Sequence, residues 1–255
     1  MKYIEPPRLR SGTTTFSKWI DIPYILRFQR VAFTHTNRNE RIPLRDIDFT
    51  LAPGDLLLVQ STHANKLPLA DLASGFLSPL RGSIEFLGKN WAELPPKSIS
   101  RLRGHIGRFF DGYSLLHDRT LLDNILLPAL YHTKRRRQDL EDDVAKLALY
   151  FGLPGIPMIT VTNATPHDLG LASLIRAVLG SPQLVILERP LEQLGEEIFA
   201  PLVNMIASMR VKGAAILWMT SHYNEHVVHA IRPTMTATEE SSQFLIELQT
   251  PNTSS

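Results

Sequence analysis

The 255-residue chain contains no cysteine. Disulfides, thiolate nucleophiles and cysteine-ligated zinc or iron–sulfur sites are thereby excluded. Charge of one sign is also scarce. Lys and Arg number 27 against 25 Asp and Glu, and a formal net charge of +2 leaves no electrostatic footprint for nucleic acid. No apolar stretch reaches the ~18 residues that suggest a membrane-spanning helix. The first residues carry Pro6, Pro7 and mixed charges where a secretory signal needs an apolar core, so the expected compartment is the cytoplasm. The one basic run, Lys134-Arg135-Arg136-Arg137, is followed at once by Asp139, Glu141, Asp142 and Asp143 and reads as a solvated face.

What is present is a globular composition, 44% hydrophobic and 20% charged, long enough to bury the core of one two-lobed α/β domain or of two small ones. Residues 1–22, broken by Pro6, Pro7 and Gly12, predict an irregular arm. Ile25–Phe33 and Ile47–Leu51 alternate as strands, and Pro53-Gly54-Asp55 turns the chain into the apolar strand Leu56–Val59. A helix is expected over about Leu67–Leu77, and a short strand between Gly82 and Gly88. Leu121–Leu130, Arg137–Phe151 and Asp168–Leu179 place apolar residues at three- and four-residue spacing and predict helices. Leu184–Leu187 and Ala214–Met219 are apolar strands separated by a helix, the alternation that builds a parallel sheet covered on both faces. Phe244–Leu248 is read as a last strand, and 251–255 as a disordered tail. There is no internal repeat.

This order of elements resembles that of an ABC-transporter nucleotide-binding subunit over about residues 25–235. Arg101 to Leu130 looks like the stretch that leads through the Q-loop into the helical subdomain. It is closest to the branch serving lipid trafficking (MCE-type), lipoprotein release and the cell-division pair. Arg176-Ala177-Val178, followed at matching distance by Ser181-Pro182 and Leu184–Pro190, resembles the end of the signature helix and the Walker B strand. The resemblance implies an ABC ATPase-like α/β fold: a RecA-like core with a mostly parallel sheet, an N-terminal antiparallel β subdomain and an inserted helical subdomain at about 112–180, all within one domain over 23–250. It also implies an integral membrane permease and a second ABC ATPase-like subunit as partners, homodimeric or heterodimeric. The protein would then sit peripherally on the cytoplasmic face of the cell membrane.

The family's chemistry is positioning and charge neutralisation: a glycine loop and a Lys hold phosphates, while a hydroxyl and an Asp hold Mg²⁺. Here the phosphate-loop pattern falls on Gln60-Ser61-Thr62-His63-Ala64-Asn65-Lys66-Leu67. Both required glycines are missing, at Gln60 and Asn65. Gln60 and His63 bring side chains toward the phosphate positions, and Leu67 replaces the metal-binding hydroxyl. Lys66 remains, either as a residual phosphate contact or as a surface lysine. The Walker B Asp position is Glu188, and the general-base Glu position is Arg189, which cannot take a proton from water. The Q-loop glutamine position is Asp111, and the adenine-stacking aromatic is replaced by His35. The signature maps to Ala164-Thr165-Pro166-His167-Asp168, where Pro166 lacks an N–H donor and Asp168 reads as a helix cap. His222 matches the switch histidine.

No catalytic residue, no cofactor and no structural metal are therefore expected, with ATP and Mg²⁺ bound only weakly if at all. Two alternatives stay open. One is a divergent but working ATPase using Lys66, Glu188 and His222. The other is a zinc-dependent hydrolase, because His222-Tyr-Asn-Glu225-His226 fits H-x-x-E-H.

Overall fold

The computed structural model describes residues 5–9, 23–37, 40–61, 68–223, 225–240 and 243–248. In chain order the strands are β1 (Leu26–Asn37), β2 (Glu40–Leu51), β3 (Leu56–Gln60), β4 (Arg81–Phe86), β5 (Lys89–Asn90), β6 (Ile106–Phe109), β7 (Leu184–Glu188), β8 (Ala215–Thr220), β9 (Met235–Glu240) and β10 (Gln243–Leu248). The helices are α1 (Leu69–Ala73), α2 (Pro96–Arg103), α3 (Leu121–His132), α4 (Arg137–Tyr150), α5 (Pro166–Val178), α6 (Pro190–Leu194), α7 (Phe199–Val211) and α8 (Glu225–Ile231). The strands form one sheet in the order β5-β4-β1-β2-β10-β9-β3-β8-β7-β6. Its first part is antiparallel, from β5 through β2. The core run of β9, β3, β8, β7 and β6 is parallel.

A strand buried on both faces has no polar side to show, which is why Leu184–Leu187 and Ala215–Met219 read as continuous apolar runs. Their alternation reappears as two cores. Leu56, Leu58, Val185, Leu187, Ile216 and Trp218 face the helical side with α3, α4, α5 and α7. Leu57, Val59, Leu184, Ile186, Leu217 and Met219 face α1 and the antiparallel strands. Each such side chain stabilises by roughly 1.5–3 kcal/mol relative to exposure.

The expected helix over Leu67–Leu77 is shorter than its pattern. Pro68 opens it, and Ser74 and Gly75 close it, with Gly75 in the left-handed region at φ 66°. Composition hid β6, whose Gly107 and Arg108 break an apolar run, and β9, whose threonines dilute the alternation Met235/Ala237. Gly107 is required there: a Cβ would lie 1.8 Å from the Ala177 carbonyl, so α5 packs on β6 backbone against backbone.

The basic run is not uniformly solvated. Arg136 and Arg137 are exposed and pair with Asp139, and with Asp123 and Glu141, respectively. The Arg135 side chain is instead only 9% exposed, its Nη2 reaching forward onto α4 to Asp143 Oδ2 at 2.6 Å and Asp139 O at 3.1 Å. Of the N-terminal arm, residues 5–9 are described. Pro6 is buried and Leu9 packs on the helical-side core, so this part of the arm belongs to the folded body. The tail 251–255 lies outside the described residues.

Candidate functional site

In a parallel sheet covered by helices, ligand sites form at the carboxyl ends of the strands. Here β3, β8, β7 and β6 end together. Ser61 N donates to Thr220 O at 3.0 Å, and Arg189 N to Met219 O at 2.8 Å. Gln60, Glu188, Arg189, Thr220, Ser221 and His222 thus share one rim, and the segment Phe110-Asp111-Gly112 leaves β6 beside them.

The rim is dominated by ion pairs. Glu188 is 4% exposed, the last residue of a fully buried strand. Its Oε1 accepts from Arg108 Nε at 2.6 Å, and Arg108 Nη1 donates to Asp71 Oδ1 of α1 at 2.6 Å. The Arg108 guanidinium also lies over the Phe110 ring, 4.4 Å from its centroid. Arg189 adopts the left-handed region (φ 52°, ψ 50°), a conformation that costs an ordinary side chain of order 1 kcal/mol and persists only where its surroundings hold it. Its Nη2 donates to Asp111 Oδ2, and its Nε lies 3.7 Å from Glu192 Oε2. Glu192 in turn accepts from Ser221 N and Ser221 Oγ, both at 2.8 Å. His222 is exposed, with Nδ1 2.9 Å from Ser221 Oγ.

The loop after Asp111 is fixed from two helices. Gly112, Tyr113 and Ser114 all have positive φ. Arg176 of α5 donates to Tyr113 O at 2.8 Å and to Ser114 O at 2.9 Å. Burial makes its charge costly and pulls its pKa down to about 10. Gln193 of α6 donates to Glu188 O at 3.0 Å and accepts from Gly112 N at 3.3 Å. Where the loop meets α3, the buried Asn124 donates to Leu116 O and Thr120 O and accepts from Leu116 N.

The structure therefore brings Gln60, Asp111, Glu188, Arg189 and His222 to one rim. Gln60 Nε2 reaches Ser221 O at 3.5 Å. His63, Asn65, Lys66 and Leu67 lie outside the described residues. His35 is on β1, paired with Ile42 of β2. Thr165 caps α5 in a reciprocal box: its Oγ1 accepts from Asp168 N at 3.1 Å, and Asp168 Oδ2 accepts from Thr165 N at 3.2 Å. Pro166 occupies the first helical position, and His167 is exposed. Among the described residues, no group of three or more His, Asp or Glu stands where it could hold a metal ion, the His222, Glu225 and His226 set included. His226 lies against Phe199 instead, with ring centroids 5.4 Å apart.

Sequence reasoning missed Arg108, Arg176, Glu192 and Gln193. The two arginines had a signal. Each is a lone charge inside an apolar element, Arg108 between Gly107 and Phe109 and Arg176 between Ile175 and Ala177, and buried charge needs partners.

No protein-family model matches the chain. A methionine import ATP-binding protein of Enterococcus faecalis is 26% identical over 192 residues, 74% of this chain and 54% of that protein. The chain thus spans about half the length of that relative. The cell division ATP-binding protein FtsE of Escherichia coli is 25% identical over 207 residues, 78% of this chain and 89% of FtsE. Among solved structures, a dimeric ATP-binding cassette in a post-hydrolysis state with ADP and Pi superposes with a TM-score of 0.73 at 15% identity, covering 88% of this chain and 98% of that one. The ATP-binding subunit of an ABC transporter gives 0.74 at 17% identity, covering 88% and 90%. The chain has the ABC ATPase fold, and in sequence it is similar to ATP-binding proteins of transport and cell division.

Proposed function

We propose that this chain is a catalytically silent nucleotide-binding-domain subunit of an ABC transporter, docked on an integral membrane permease at the cytoplasmic face of the cell membrane. The observation that carries this reading is Arg189. It stands where the fold's chemistry needs a general base, it cannot accept a proton, and its guanidinium is bound to Asp111 across the rim. A divalent metal does not fit the residues present: Glu188 is already paired with Arg108, and Leu67 supplies no hydroxyl. ATP and Mg²⁺ are accordingly expected to bind weakly or not at all, and the subunit needs no cofactor.

Docking is supported by α3, whose Leu130 and Tyr131 follow Leu127 by about one helical turn, the three being 37%, 74% and 51% exposed. Among the described residues no helix is long and apolar enough to cross a membrane. A second ABC ATPase-like subunit completes the assembly, either another copy or an intact one. A lipid or lipoprotein cargo is supported by the resemblance of the Arg101–Leu130 segment alone.

The test is phosphate release by the purified chain. The silent reading expects no Mg²⁺-dependent release above buffer, and none that changes with Lys66→Ala. Release that disappears in Lys66→Ala would establish a divergent working ATPase. Affinity capture from detergent extract tests the docking: recovery of an integral membrane protein is expected, and recovery of none would point to a soluble scaffold.

A further inference from the structure

The strand period puts Ile106 and Arg108 of β6 on the same face of the sheet as Leu184, Ile186 and Glu188 of β7, the face that α1 covers. Gly107 and Phe109 point the other way, into the helical-side core. Arg108 is paired with Ile186 in the ladder, two residues before Glu188 and on its face, so the geometry delivers its guanidinium to the end of β7 and under the first turn of α1.

A carboxylate as buried as that of Glu188 is unfavourable unless a positive group and hydrogen bonds meet it. Arg108 meets it through Nε, reaches Asp71 through Nη1, and stacks on Phe110, with its own side chain only 9% exposed. A guanidinium keeps its charge at every accessible pH, and its planar fork holds two acids on different elements in one geometry. From its position at the end of β7, Glu188 is the carboxylate of this rim that would hold a metal, with oxygen ligands left for water or phosphate. Here its Oε1 is taken by Arg108.

We propose that Arg108 is a built-in cation standing where a divalent metal would sit, neutralising Glu188 and joining it to α1 through Asp71 without any ion. This rests on the silent-subunit reading and deepens it. Arg189, standing in place of a glutamate, removes the base, whereas Arg108 removes the metal, so restoring a glutamate at 189 leaves the chain unable to take up a divalent ion. The same guanidinium adds a polar tie to α1, whose Leu69, Ala70, Leu72 and Ala73 are already buried against the sheet.

The experiment uses the full chain, its Arg108→Met variant and the double variant Arg108→Met/Glu188→Gln, with Mn²⁺ alone as the probe and no nucleotide. Methionine keeps the apolar stem of the arginine while removing the charge. Mn²⁺ binding is read by electron paramagnetic resonance and by the melting temperature. The unmodified chain is expected to bind no Mn²⁺ at millimolar concentration and to melt unchanged. R108M melts lower in metal-free buffer and gains about 2–4 °C with saturating Mn²⁺. In the double variant the Mn²⁺ response is lost, yet in metal-free buffer it melts above R108M, because the uncompensated carboxylate is gone.

Glu188-dependent Mn²⁺ binding by the unmodified chain overturns the proposal, as does an R108M that folds and ignores Mn²⁺. If R108M does not fold, the double variant decides: recovery of a folded protein supports the proposal, and failure to recover overturns it. These arms contain no nucleotide, so their failure leaves the hydrolysis reading to its own test.

Discussion

The interior of the parallel sheet and the rim at its carboxyl ends are built from the same strands, yet they obey different rules. Inside, Leu56–Val59, Leu184–Leu187 and Ala215–Trp218 are apolar and at most 1% exposed. One to three residues further along, the chain turns to Gln60, Glu188, Arg189, Thr220 and Ser221, held by ion pairs and side-chain hydrogen bonds. The contrast is between a layer held by apolar burial and a rim held by paired charges. Side chains at the strand ends are free to change chemistry provided their charges are balanced, and here they balance one another.

That comparison is sharpened most by cutting the interior. Trp218 is 1% exposed in the middle of β8, and Trp218→Ala is expected to lower the unfolding free energy by about 3–5 kcal/mol in a denaturant titration. Next in size is Gly107→Ala. Its new methyl collides with the Ala177 carbonyl and pushes α5 from β6, at a cost of about 1–3 kcal/mol measured in the same way. A cost near zero would show that the α5–β6 contact is softer than the close approach implies.

A smaller effect is confined to mildly acidic solution. Burial lowers the pKa of both His105 and His132, with repulsion from His132 adding to the shift of His105. A Cβ at Gly104 would lie 2.5 Å from the His132 ring, so the two meet where α3 closes against the start of β6. Because the folded state disfavours their charged forms, the unfolded chain binds more protons as the pH drops through the ordinary imidazole value of 6.5. Stability contributed by the neutral pair is complete above that pH and declines as the pH falls through the lower folded values. His105→Gln/His132→Gln should flatten this decline in melting temperatures recorded across the window, and an unchanged slope would place its origin elsewhere. Least costly is Asp111→Asn at the rim. The Arg189 pair is partly exposed, 37% and 15%, and its loss should cost about 0.2–1 kcal/mol, as expected where charges balance locally rather than carry the fold.

Much of the interior was legible in the sequence because burial on two faces writes itself as apolar runs and helical spacing. Leu184–Leu187 and Arg137–Phe151 coincide with β7 and α4 almost to the residue. What was hidden depended on contacts distant in sequence. β6 needs Gly107 only because α5 arrives 70 residues later at Ala177. Arg108 is sensible inside a strand only once Glu188 and Asp71 are brought to it. The substitutions at Glu188 and Arg189 were visible one by one, but their compensation, Arg108 for the first and Asp111 for the second, requires the folded rim. Arg135 shows the converse: a run of four basic residues reads as solvent-facing, and one of them is buried on Asp143.

The most direct measurement of the central claim, that this rim is filled by its own side chains, is a high-resolution structure of the full chain determined with excess ATP and Mg²⁺. The account predicts Arg108 on Glu188 and Asp71, Arg189 on Asp111, and no ordered triphosphate. A triphosphate and metal ordered against residues 60–67, with Arg108 displaced from Glu188, would contradict it.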